Sequence, residues 1–219
     1  MKKYEFTGET KEIGGKILHR IRALIDIPEH DVKAGDLGGW IEAERNLSQN
    51  GAAWVTGEAL VMGSARVMGS ARVTDSAWVT GSAWVRENAR VMDSAWVTDS
   101  ARVTGSARVM GSAWVMGSAR VTGSARVMGS ARVMGSAWVM KSSDCITIGA
   151  IGSRDGTTTF YRGKDGKIYV SCGCFNGTID DFAAKVKEVH AGTKHEKTYL
   201  LAIELAKAQI GTAEEKDKC

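Results

Sequence analysis

The 219-residue sequence predicts a mainly β protein: a parallel β-helix of about five coils, with an N-terminal β cap and a small C-terminal α+β domain. Three observations carry that reading. The tripeptide Ala-x-Val starts at Ala53 and returns every six residues to Ala137, fifteen times without a slip. Such a beat marks a repeat architecture. Within each unit Ala and Val stand two apart, so an extended chain puts both on one face, whereas helical spacing scatters them. Each unit then closes on a two-residue corner, usually Gly-Ser, with Asp75, Asn88, Asp93 and Asp99 as the turn-compatible exceptions.

Three strands and three corners make a coil of eighteen residues, and fifteen units make five coils stacked at roughly 4.8 Å. Alanine and valine point in, and the variable residue and the Met or Thr after valine point out. Burying fifteen valines at roughly 1.5 kcal/mol or more each drives the stacking. Residues spaced by eighteen then share an outer face, and the variable slot sorts by face. One face carries Trp54, Arg72, Arg90, Arg108 and Arg126. The second carries Leu60, Trp78, Trp96, Trp114 and Arg132, and the third Arg66, Trp84, Arg102, Arg120 and Trp138. A file of arginines repels itself unless an anion or an aromatic face lies against it. Guanidinium groups stacked on one another or on indole are the alternative to a bound anion. Exposed aromatic stripes mark interfaces, so the tryptophan file predicts association between copies of the chain.

The order Val-Met-Gly-Ser-Ala-Arg, kept through residues 52–141, resembles the hexapeptide-repeat left-handed parallel β-helix. The best-known members of that group are acyltransferases with a histidine base beside a coil and loops thrown out from the helix. The four histidines here are His19, His30, His190 and His195, all outside the repeat, and no loop interrupts residues 52–141. Acyl transfer on the coils lacks its base, and a carbonic anhydrase of this fold lacks its metal ligands. An ice-binding face would need ordered threonine files, whereas Thr56, Thr74, Thr80, Thr98, Thr104 and Thr122 are scattered among methionines.

The net charge of +4 is concentrated in the repeat, where nine arginines and one lysine face five acids between Ala52 and Lys141. Anionic partners are therefore expected there. Weak support for nucleic acid comes from arginine for phosphate and indole for base stacking, without any recognised nucleic-acid motif. No apolar run spans a bilayer. MKKYEFTGETKEIGG has no apolar core behind its lysines, and the four cysteines do not form a disulfide framework, so a cytoplasmic protein without a membrane partner is expected.

Residues 1–51 read as the cap. Ile17, His19, Ile21, Ala23 and Ile25 alternate on one strand face, and Ile41 and Leu47 enter hexad spacing ahead of Ala53 as an irregular first coil. Residues 145–211 read as a β-β-β-α-α domain and 212–219 as a charged tail. Its strands are CITIGAIG, TTTFYRG and KIYVSCGCF, with a hairpin at Lys164-Asp165-Gly166. Thr178 to Asp181 opens a helix that turns Phe182, Val186 and Val189 to one face; a second, from about Lys194 to Ile210, carries Leu200, Leu201, Ile203, Leu205 and Ile210. Two constellations here have chemical potential. Cys172, Cys174, His190 and His195 are four zinc-type ligands at a spacing unlike known fingers, with buried thiols and surface histidines as the plain alternative. Arg154 with Thr157, Thr158, Thr159 and Tyr161 offers a guanidinium and hydroxyls to a phosphate, with a polar turn as the alternative. Cys174 near His190 is a candidate nucleophile without a readable oxyanion site.

YEFTGET near the start, GDLGGWIEAERNLSQ before the repeat and SCGCFNGT after it together resemble uncharacterised bacterial and phage-encoded hexapeptide-repeat proteins. The resemblance implies a phage context, and with it interference with host defence inside the host cytoplasm. The function expected is that of a non-catalytic binding protein without a cofactor, a homotrimer. It takes a nucleotide signal, a nucleic acid or an acidic host protein on Arg72, Arg90, Arg108 and Arg126, on Trp78, Trp96, Trp114 and Arg132, or on Arg154, Thr158 and Tyr161. An enzyme with an acyltransferase-like or Cys/His site in the C-terminal domain, and a purely structural oligomerisation rod, are the two alternatives.

Overall fold

A computed structural model describes residues 2–211; the predicted charged tail lies outside the described residues. Fifteen two-residue strands, from Trp54–Val55 to Trp138–Val139 at six-residue intervals, stack as parallel files on three sheets of a β-solenoid. With the irregular turn that precedes them the chain makes about six turns. In that turn Ile41 pairs with Val61, and Leu47 bridges to Val67. Every repeat alanine and valine is buried, in one continuous column. Backbone N–H groups donate to the next coil all along it, as in Arg72 N–H to the Ala89 carbonyl at 2.9 Å.

The corners explain the acids. Each corner's first residue has a positive φ, glycine in most and Asp75, Glu87, Asp93 or Asp99 in the rest. Glycine is needed where coils approach closely: a Cβ on Gly69 would lie 2.8 Å from the Glu87 amide nitrogen. Where an acid takes the corner, its carboxylate accepts from the corner N–H one coil on. Glu87 accepts from Gly105 at 2.6 Å, Asp93 from Gly111 at 2.7 Å and Asp99 from Gly117 at 2.9 Å. These bonds offset part of the left-handed strain.

The N-terminal cap is two long strands, β1 (Tyr4–Ile13) and β2 (Lys16–Ala23), followed by β3 (Leu37–Ile41); they pair antiparallel with one another, and β3 joins one solenoid sheet by parallel pairing at Leu60–Val61. The expected single apolar face of β2 is corrected. Ile17 is exposed, while Leu18 is buried against Trp40, Leu60 and Met62, and Ile21 and Ala23 turn into the solenoid core. A register shift between β2 and β3 breaks the simple alternation. The cap also blocks the open sheet edge. The Lys3 ammonium, buried, donates to the Ala53 carbonyl at 2.7 Å and the Gly51 carbonyl at 3.3 Å, and Asn46 Nδ2 donates to the Ala65 and Gly63 carbonyls at 2.8 and 3.1 Å.

The other end is closed by an antiparallel sheet of four strands, β19 (Cys145–Ile151), β20 (Gly156–Arg162), β21 (Ile168–Cys172) and β22 (Phe175–Thr178), numbering the fifteen repeat strands β4 to β18. Three strands were expected; KIYVSCGCF instead reverses at Gly173, whose φ is positive, to make two. Helices α1 (Ile179–His190) and α2 (Lys194–Ile210) cover that sheet. Thr178 caps α1 as the sequence signals, accepting from the Asp181 N–H at 3.2 Å. Phe182, Val186, Ile203 and Ile210 are buried, but Val189, Leu201 and Leu205 are exposed, because one sheet face cannot cover the full apolar width of both helices. β20 is the lid proper: Thr159 Oγ1 accepts from the Arg132 N–H at 3.0 Å, and Tyr161 joins the solenoid core. A buried ion pair, Arg162 to Asp144 at 3.1 Å, joins the lid to the turn after the repeat; Asp144 also accepts from the N–H groups of Met140 and Lys141.

Candidate functional site: the arginine and tryptophan faces

Strand pairing puts Arg72 beside Arg90, Arg90 beside Arg108 and Arg108 beside Arg126, each pair in register. Trp54, expected at the head of this file on the outside, is instead fully buried, edge-on to Tyr4 of the cap. Among the described residues no carboxylate lies within ion-pair distance of the four arginines. Like charges spaced this closely repel by roughly 1 kcal/mol per neighbouring pair even in water. The Arg72 Nε atom is buried and has no hydrogen-bond partner among the described residues.

Between Arg72 and Arg90 runs an open groove of about 410 Å³, floored by Thr56, Thr74 and Met92 and bounded by Asp75. That carboxylate is committed elsewhere. It accepts from the Thr74 hydroxyl and from the Asp93 N–H at 3.2 Å, and these two bonds, ahead of the Arg72 charge, hold its pKa below the usual range. At the foot of the file the cap brings in His30, which the sequence did not single out. It is only 6% exposed, and neither ring nitrogen has a hydrogen-bond partner among the described residues. Burial first, then the charge of Arg72, pushes its pKa below the ordinary value.

The second face is a stack. Trp78 and Trp96 lie 4.7 Å apart at 4°, Trp96 and Trp114 5.2 Å apart at 8°, and Arg132 sits 5.4 Å above Trp114. Leu60, expected on the outside, is buried under the cap, and Trp40 stands over it in register. The two lie twenty residues apart, so a search at intervals of eighteen misses Trp40. Its indole lies under Lys11 and Arg20 and donates to Glu58 at 3.0 Å.

The third face is self-satisfied. Arg66, Arg86 and Arg102 surround the Trp84 ring at 6.0, 5.8 and 5.4 Å, and Arg120 lies 5.9 Å from the Trp138 ring. Of the nine arginines in the repeat, five thus lie over an indole, and the four of the first file do not.

The C-terminal candidates do not converge on a phosphate site. Arg154 is exposed on a turn, but Thr158 is 0% exposed and donates to Cys172 Sγ at 3.1 Å, while Tyr161 is 1% exposed, with burial raising its pKa. Both belong to the lid. His190 and His195 have ring centres 5.8 Å apart and Cys174 is exposed, but among the described residues no three His, Cys, Asp or Glu side chains gather as a metal site. Cys172 and Cys174, with His190, instead line a cavity of about 280 Å³ between the sheet and α1.

Fold and faces together define a class: a doubly capped β-solenoid that presents one cationic face, without ion pairs among the described residues, and one stacked aromatic face. No protein-family model matches the chain, and no curated protein matches it, so the reading of function rests on these residues. No helix among the described residues is long and apolar enough to cross a membrane.

Proposed function

We propose that this protein is a non-catalytic binding protein whose arginine file, Arg72, Arg90, Arg108 and Arg126, receives an anionic ligand. One observation carries the proposal: these are the four repeat arginines with neither an indole nor, among the described residues, a carboxylate against them. A rigid scaffold holds their backbones at a fixed pitch, so a bound anion relieves repulsion and orders only the side chains, not the backbone. The ligand is a polyphosphorylated nucleotide, a nucleic acid or an acidic protein. Capture of a nucleotide signal suits the phage-encoded proteins that the sequence resembles, where interference with host defence is the expected use.

The test is titration of a nucleoside triphosphate, a single-stranded oligonucleotide and polyglutamate at low salt, with Arg→Gln at all four positions. Binding of at least one probe that weakens with salt and is lost in the variant supports the reading. No binding of any of the three overturns it. The neutral stack of Trp78, Trp96 and Trp114 is the face on which copies associate in this reading, as a homotrimer. Native mass spectrometry reports subunit number and retained ligand together, and a monomer would remove the association.

A further inference from the structure

The cavity beneath α1 lies in the C-terminal region and shares no lining residue with the groove on the arginine file. Its walls are apolar, formed by Ile151, Phe175, Phe182, Val186 and the ring of Tyr199. It opens to solvent on one side, and its volume of about 280 Å³ is room for several waters or a small organic group. It stands just under the range of roughly 300–1,000 Å³ in which small organic ligands bind.

Three of the lining residues are basic, Arg154, Lys185 and His190, and none is acidic. The Lys185 ammonium is held by Glu188 at 2.9 and 3.0 Å, so its charge is partly answered. Arg154, exposed beside the cavity, has no carboxylate within ion-pair distance among the described residues. A residue with a polar group, Tyr199, also lines it. Among the described residues the Tyr199 hydroxyl has the Cys172 sulfur, at 3.7 Å, as its one hydrogen-bond partner, and burial followed by that contact pushes its pKa up to about 12, so it stays protonated. The Cys172 sulfur is itself engaged by the Thr158 hydroxyl. Gly152 makes the placement of Tyr199 possible, since a Cβ there would fall 1.7 Å from the phenol oxygen.

We propose that this cavity binds a small organic monoanion with an apolar body, a single-ring or short branched carboxylate. The body lies against Phe175, Phe182 and Val186, the carboxylate meets Arg154 at the mouth, and Tyr199 donates to an oxygen within. The proposal is independent of the arginine file.

Calorimetric titration of the full chain with phenylacetate and indole-3-acetate, each beside its neutral amide, tests it. The acids bind at millimolar concentration or below and the amides roughly tenfold more weakly. Val189→Trp places an indole at the mouth from a position 56% exposed, where it does not disturb the core, and abolishes binding. Arg154→Gln weakens the acids several-fold and leaves the amides unchanged. The four-fold Arg→Gln variant of the solenoid binds the acids as the parent does. Failure of both acids at millimolar concentration, equal binding of acid and amide, or undiminished binding in a folded Val189→Trp protein would each overturn the assignment.

Discussion

Two solenoid faces carry arginines at the same pitch on the same backbone, yet they differ in what the guanidinium groups touch. On the mixed face Trp84 and Trp138 interrupt the file, and Arg66, Arg86, Arg102 and Arg120 lie over their rings. On the other face four arginines run unbroken in register, and the acids of the adjoining corners are occupied with backbone N–H groups. The contrast teaches that charge count alone does not mark a binding surface. What marks it is charge whose local partners have been assigned elsewhere.

The strongest way to break the comparison is to break the frame both faces share. Arg162→Met leaves Asp144 buried beside the N–H groups of Met140 and Lys141 without its cation, and an uncompensated buried charge costs roughly 3–5 kcal/mol. Urea unfolding is expected to show that loss, with ligand binding falling in step with the unfolded fraction.

Next in size is the difference between the faces themselves. Gln at positions 72, 90, 108 and 126 is expected to weaken an oligonucleotide about 100-fold at low salt and to flatten the salt dependence by up to about 0.7 per arginine lost. Gln at 66, 102 and 120 changes affinity little, but lowers stability by roughly 0.5–1 kcal/mol for each cation–π contact removed. Equal effects on binding from the two sets would erase the distinction.

Trp96→Ala sharpens the role of the stack, because Trp96 is shared by both ring contacts. Each aromatic pair contributes roughly 0.5–1.5 kcal/mol beyond area, so a loss of about 1–3 kcal/mol in chemical unfolding is expected with anion binding retained. The smallest effect is a pH slope at the foot of the arginine file. His30 is held below its ordinary pKa by burial, then by Arg72, with Arg90 adding to this and Glu29 opposing it. The unfolded chain therefore takes up the proton first. Stability is full above about pH 6.5 and falls as the pH drops below it. His30→Phe is expected to flatten that slope in thermal melts between pH 7 and 5.

The faces were legible in the sequence because an uninterrupted hexad leaves no freedom in register: residues eighteen apart must stack, and Arg72 to Arg126 and Trp78 to Trp114 do. Legibility failed where the period did. Trp54 and Leu60 occupy outward slots by count but are covered by cap strands whose path no repeat specifies. Thr158 and Tyr161 look like ligand groups in a polar strand, and are buried only because β20 is covered on both sides: Tyr161 packs into the solenoid core, while Thr158 turns the other way to Cys172, on the side the helices cover. The partial rows Leu201, Leu205 and Val189 carry helical periodicity, but periodicity does not say how wide a face the sheet can cover.

By itself, then, the sequence determined the coil, its inward alanines and valines, its corner chemistry and the sorting of arginine from tryptophan, since all of these follow from local spacing on an extended chain. Tertiary structure alone decided which arginines are answered by indole, which acids are spent on backbone amides, that His30 meets Arg72, and that a cavity opens under α1. The indole and amide contacts mostly join residues eighteen apart, but spacing does not say which way a side chain turns; His30 at Arg72 and the cavity under α1 join segments with no shared period, which only tertiary packing brings together.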